Sequence, residues 1–187
     1  GRAAPEKNLG LAIRAFRRIR AFRPDARMII VGDGPMRDSI AREHPDVFLA
    51  GMQRGEALAA HYASADLFLF PSLSETFGNV TLEAMASGLC ALAYDYAAAA
   101  EVIRDLGNGA HVRSGDEEGF IERAVQLALN DALRLSLGRA ARTTAEGISW
   151  DHVNDRFADA LVRVWRSHHA TPPGSDNTAA RVAAVVR

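Results

Sequence analysis

Apolar positions along the chain fall into two kinds of run. Over residues 8–22, Leu9, Ala12, Ile13, Phe16 and Ile19 recur at three- and four-residue spacing, which places them on one face of a helix closed by Pro24. Short runs such as Met28-Ile29-Ile30-Val31, Val47-Phe48-Leu49-Ala50 and Cys90-Ala91-Leu92-Ala93-Tyr94 show no polar alternation. The same holds for Leu67-Phe68-Leu69-Phe70 and, more briefly, for Gly109-Ala110-His111-Val112. Runs that are apolar on both faces read as strands of a parallel sheet covered on both sides. Between them lie helical stretches. One is opened by Pro35 and ended by His44-Pro45, a short one covers 56–63, and one runs from the 71–78 loop to a left-handed cap at Gly88. Two more span 116–129 and 131–145, and a last one, capped by Asp151 after Trp150, runs to Ser167.

Strand and helix alternate throughout, which predicts an α/β fold: an open, doubly wound parallel sheet of the Rossmann-like kind. Residues 1–150 form that domain, 151–168 a C-terminal helix, and 169–187 a mobile tail that includes Pro172-Pro173-Gly174-Ser175-Asp176. The loop at Gly1–Lys7 belongs after a first strand, and none precedes it in these residues. With the strand order 3-2-1-4-5-6, that strand belongs in the middle of the sheet, so the chain is expected to be a fragment of a longer protein.

Composition narrows the function classes. At 187 residues a sizeable core can be buried, and a net charge of −1 lacks the basic excess of a general nucleic-acid binder. No apolar stretch reaches the length of a membrane-spanning helix. The single cysteine, Cys90, cannot close an internal disulfide, which favours a reducing compartment, and it reads as a small buried apolar residue.

The informative stretch runs from Ser74 to Gly88: Ser-Glu-Thr-Phe-Gly-Asn-Val-Thr-Leu-Glu-Ala-Met-Ala-Ser-Gly. It follows a strand and opens a helix, so it lies at the carboxyl edge of the sheet, where such folds bind ligands. Free amides of Gly78, Asn79, Val80 and Thr81 at the helix N-terminus suit a phosphate or diphosphate. Glu83 lies about 6 Å further along the axis, at 1.5 Å per residue. A carboxylate against a diphosphate would be repelled, so Glu83 suits a ribose diol beside it, and Glu75 a sugar hydroxyl on the far side. Arg2 and Lys7, the latter the only lysine in the chain, share the loop at the same edge and supply cations for the anion.

Three patterns in order carry a resemblance: Gly-Arg-x-x-Pro-Glu-Lys-Asn at 1–8, Val-Gly-Asp-Gly-Pro at 31–35, and Glu75 to Glu83 within the stretch above. Together they resemble the group 1 (family 4) retaining glycosyltransferases, over about residues 1–167. The resemblance implies one half of a GT-B fold, the C-terminal, nucleotide-sugar-binding half. It implies that Arg2 and Lys7 bind the donor diphosphate, that Glu83 holds the ribose and that Glu75 contacts the donor sugar. Phe77, Gly78, Asn79 and Val80 would offer backbone amides, and Gly51-Met52-Gln53-Arg54 would hold the base. The helix after Trp150 resembles one that crosses back onto an N-terminal domain. The implied donor is a nucleoside-diphosphate hexose of the GDP-mannose or UDP-glucose type, with no metal and no other cofactor. The acceptor would sit on the absent N-terminal domain, and peripheral contact with the inner membrane face is open only through that domain of a cytoplasmic protein. Many relatives carry glycines in the loop after the fifth strand, where this chain has Asp95-Tyr96-Ala97-Ala98-Ala99-Ala100-Glu101, as some close relatives do.

Other readings compete less well. Gly32-Asp33-Gly34-Pro35-Met36-Arg37 lacks the third glycine of a dinucleotide fingerprint and follows the wrong strand. Glu75 and Glu83 as a glycosidase pair conflict with the anion site between them. Ser72 and Ser74 have no nucleophile-elbow frame. The six histidines show no metal spacing, although His168-His169 could chelate weakly. Trp150 and Trp165 are expected in a core or domain interface. A non-catalytic module that binds a nucleotide or a partner protein is the alternative function.

Overall fold

The computed structural model describes residues 1–148 and 150–169. Among these, a 3₁₀ turn at Pro5–Lys7 leads into α1 (Leu9–Arg20), β1 (Met28–Val31), α2 (Arg37–Glu43), β2 (Val47–Gly51) and α3 (Gly55–Ala63). There follow β3 (Leu67–Phe70), α4 (Asn79–Ala86), β4 (Cys90–Tyr94), α5 (Ala97–Val102), β5 (Ala110–Val112), α6 (Glu117–Leu129), α7 (Asp131–Glu146) and α8 (Trp150–His169). The chain divides into two compact units after Gly147.

All strand pairs are parallel. β1 pairs with β2, and β4 lies between β3 and β5, with Leu67 opposite Cys90 and Leu92 opposite Ala110. β1 and β3 share no ladder among the described residues, so the sheet comes in two halves. The space between their edges is a cavity of about 490 Å³, lined by Ile30 of β1, Leu67 and Leu69 of β3, Phe16 of α1 and Leu58 of α3. The doubly wound order 3-2-1-4-5-6 puts a central strand at that place. α3, which crosses from β2 to β3, has no buried residue.

Strict alternation along β4 builds both cores. Cys90, Leu92 and Tyr94 face Leu11, Ala15, Phe120 and Leu127 of α1 and α6, while Ala91 and Ala93 face Met85, Ala99 and Ala141 of α4, α5 and α7 and Ile103 just after α5. A third cluster joins Ile13 and Phe16 of α1 to Ile30, Ile40 and Val47 beneath the other half of the sheet. A strand buried on both faces explains the lack of polar alternation in its sequence.

The glycines of Gly32-Asp33-Gly34 have a packing role. A Cβ on Gly32 would lie 1.6 Å from the Gly1 carbonyl oxygen, and one on Gly34 would lie 2.5 Å from that of Ala3. The Ala3 amide donates to Asp33 O at 2.8 Å, and the Met36 amide to Ala3 O at 2.9 Å. The motif lets the N-terminal loop lie directly on the turn after β1, backbone against backbone.

Several expectations need correction. Pro35 stands two residues ahead of α2 instead of in its first turn. α5 forms where a loop was expected. Asp151 lies inside α8, which already begins at Trp150, so it is not the cap. Trp165 is 60% exposed, so of its core and domain-interface readings only the interface one stands. The side chains of Trp150 and His169, and the tail expected over 169–187 beyond His169, lie outside the described residues.

Candidate functional site

After β3 the chain turns through Pro71 and Ser72, both buried, into the exposed loop that ends at Gly78. Gly78 adopts φ +93 as the residue ahead of α4, a left-handed conformation that costs a glycine little. The Thr81 amide donates to Gly78 O at 3.0 Å and its side chain is buried, which corrects the expectation of four free amides. The amides of Gly78, Asn79 and Val80 make no such loop hydrogen bond among the described residues and remain at the helix terminus.

Backbone stitches hold the N-terminal loop against this corner. The Glu6 carbonyl accepts from the Leu73 amide at 2.7 Å and lies 3.3 Å from Ser72 Oγ. Ser72 Oγ is also 2.7 Å from Glu75 Oε1. A hydroxyl has one proton, and the short contact to a carboxylate is the stronger use of it. Lys7 Nζ forms an ion pair with the same Glu75 oxygen, and the two side chains are only 17% and 13% exposed. Lys7 Nζ also stands 5.7 Å from the centre of the Phe70 ring. An ammonium has three donors, so the pairing with Glu75 leaves Lys7 able to hold a further anion. The Tyr96 ring closes the corner beside Ser72 and Glu75, and burial, then the Glu75 charge, pushes its hydroxyl above the ordinary tyrosine value.

Arg2 does not join Lys7 in that cluster. It is exposed and paired with Glu6 at 2.7 Å, a hydrogen bond that holds the Glu6 carboxyl below its ordinary range. Glu83 lies one turn inside α4, exposed, and accepts a hydrogen bond from Tyr62 Oη at 3.0 Å. Burial, then the Glu83 charge, pushes the Tyr62 hydroxyl well above its ordinary value, so it stays a donor. Phe77 is partly exposed, and its carbonyl accepts from the Ala98 amide at 2.7 Å. Ala97, next to it, takes φ +51.

Gly51 closes β2 at φ +70, and its carbonyl accepts from the Gly32 amide at 2.8 Å. Met52 and Arg54 are exposed, and Gln53 Nε2 donates back to Ala50 O at 2.7 Å. Among the described residues no hydrogen bond or ion pair links 51–54 to the Lys7–Glu75 cluster, although both lie at the carboxyl ends of strands. Ser72 and Tyr62 were missed by sequence reasoning. A serine three residues before a carboxylate in a loop is a signal for the first; the second has none, because its partner is 21 residues away. No group of three His, Cys, Asp or Glu with metal-binding arrangement occurs among the described residues.

This corner can take an anion at the helix terminus with Lys7 beside it, and hydroxyl groups at Glu75 and Glu83 on either side. The chain is similar to known proteins in sequence and in fold. The chain is 33% identical over 176 residues to the sulfoquinovosyl transferase SQD2 of Arabidopsis thaliana, covering 89% of this chain and 34% of that protein. It is 35% identical over 159 residues to the GDP-mannose-dependent alpha-mannosyltransferase of Mycolicibacterium smegmatis, covering 84% and 40%. The chain thus spans well under half the length of these relatives. In fold it is similar to S. aureus TarM, solved in complex with UDP, at a TM-score of 0.75 and 24% identity over 85% of this chain and 34% of that one. It is also similar to the C-terminal domain of the group 1 family protein LpcC of Francisella tularensis, at a TM-score of 0.69 and 22% identity over 79% and 82%. Residues 1–130 match the family model described as glycosyl transferases group 1, and to that family the chain belongs.

Proposed function

We propose that this chain is the donor-binding half of a retaining glycosyltransferase that takes a hexose from a nucleoside-diphosphate sugar of the GDP-mannose or UDP-glucose type. The observation that carries this reading is the corner itself: Lys7 and Glu75 paired at the amide terminus of α4, with Glu83 one turn away. The donor diphosphate lies against the amides of Gly78, Asn79 and Val80 and against Lys7, with Arg2 free to leave Glu6 and join. Glu83 accepts from the ribose hydroxyls, Glu75 from a sugar hydroxyl, and residues 51–54 flank the base. Phe77 borders the sugar.

In the transfer, the bond from the sugar C1 to the diphosphate oxygen breaks and its electron pair passes to the diphosphate. The acceptor hydroxyl bonds to C1 on the same face, and its proton goes to the departing phosphate oxygen. Cations and aligned amides lower that barrier by stabilising the charge that develops on the leaving group. With Lys7, Arg2 and the helix terminus in that role, no metal is needed. The sugar, lipid or small-molecule acceptor is held by a second domain of the full-length protein, which also carries any membrane contact. No helix among the described residues is long and apolar enough to cross a membrane.

The test is calorimetric titration of the full-length protein with GDP, UDP and ADP, repeated on Glu83→Ala. One nucleotide is expected to bind selectively, and about tenfold more weakly in the variant. A folded protein that binds none of them overturns the reading, and equal binding by the variant removes Glu83 from the site.

A further inference from the structure

Tyr62 makes none of the donor contacts above, yet it holds the carboxylate assigned to the ribose. We propose that Tyr62 is a positioning residue: its hydroxyl fixes Glu83 in the rotamer that receives the ribose diol. The inference rests on the reading of Glu83 given under Proposed function.

Glu83 is exposed on α4, and an unrestrained glutamate would lose rotamer freedom on binding a ligand. Tyr62 Oη lies 3.0 Å from Oε2, which uses one oxygen and leaves the lone pairs of Oε1 for incoming hydroxyl donors. The tyrosine is itself fixed. Its ring meets Phe68 edge-on, with centroids 6.1 Å apart, and Phe68 stacks on Phe70 at 5.5 Å. Phe68 and Phe70 are two residues apart on β3 and so share a face. Phe70 is the ring beneath Lys7. A row of three aromatic rings therefore runs from the support of the ribose carboxylate to the phosphate cation, setting the spacing between them. Tyr62 also sits on α3, the helix that starts directly after residues 51–54, so the segment flanking the base runs straight into the element that carries the support of the ribose ligand. α3 buries no residue, and the Tyr62 hydroxyl points to a carboxylate instead of a packing partner.

The test uses the full-length protein and the ribonucleoside diphosphate it binds, alongside the 2′,3′-dideoxy counterpart. Tyr62→Phe keeps the ring and its contact with Phe68 and removes only the donor. It is expected to weaken the ribonucleotide on the order of fivefold while leaving the dideoxy nucleotide unchanged. Combined with Glu83→Ala it should have no further effect, and in the otherwise unaltered protein it should raise KM for the donor with kcat held. Equal weakening of both nucleotides, or of neither, overturns the role of Tyr62 alone. A wild type that binds nucleotide but does not distinguish ribose from dideoxyribose overturns the ribose reading of Glu83, and this inference with it.

Discussion

The Lys7–Glu75 pair shows how much one side chain is asked to do at this site. Lys7 neutralises a largely buried carboxylate and stands ready for an anion, so its removal takes away both roles. Lys7→Ala in the full-length protein is expected to lower kcat by about 100-fold or more, in line with loss of one donor at a developing anion. Lys7→Arg should recover part of it. Steady-state turnover checks both. Ala97 is strained in the opposite sense. An alanine at φ +51 sits where glycine fits better, so Ala97→Gly should stabilise the protein by about 1 kcal/mol in urea unfolding. Glu75 and Glu83 stand out in the sequence because they share one contiguous loop-to-helix stretch, 74–88, and Lys7 because it is the only lysine in the chain. Tyr62 and the use of Ser72 do not, because tertiary contacts bring Tyr62 of α3 to Glu83 of α4 and fold Ser72 and Leu73 onto the Glu6 carbonyl. Local spacing cannot report either.

Among elements, α4 is the one whose position decides the site, and it is held by α7 through a close approach. A Cβ on Gly138 of α7 would lie 2.2 Å from the Gly88 carbonyl oxygen, just past the end of α4. Gly138→Ala must push the helices apart and is expected to cost about 1–3 kcal/mol of stability, read by denaturant unfolding. α7 also carries a charge test. Asp131, its first residue, bonds Arg23 and Arg134, each at 2.8 Å, and the Arg23 bond is the larger cause that holds its carboxyl below the ordinary aspartate value of 3.8. A carboxyl depressed on folding contributes stability above its unfolded value and loses that contribution as pH falls through its folded one. The midpoint of thermal unfolding should therefore drop more steeply for wild type than for Asp131→Asn between about pH 4 and pH 2. Strand runs and the long helices were readable because burial imposes their periods. α5 was not, since an alanine run has no apolar face to distinguish from a polar one.

At the scale of the molecule, topology explains what was legible. Parallel strands with helices on both faces leave few arrangements, so the order β2-β1 and β3-β4-β5 followed from the sequence once the loop at 1–7 was placed after a strand. The cavity between β1 and β3 exposes apolar side chains of both halves and leaves two strand edges without partners.

Cys90 lies in the middle strand of the larger half, 1% exposed, with its thiol pushed up to about 12 by burial. Such a sulfur is closed to an alkylating reagent in two ways, by access and by protonation. As the chain has no second cysteine, the rate of covalent labelling becomes a clock for the opening of β3–β4–β5. Deuterium uptake at the amides of β1 times the other half independently. Equal opening free energies from the two clocks would mean that the halves breathe as one cooperative body across the gap; unequal ones would make the gap a seam along which the protein comes apart first.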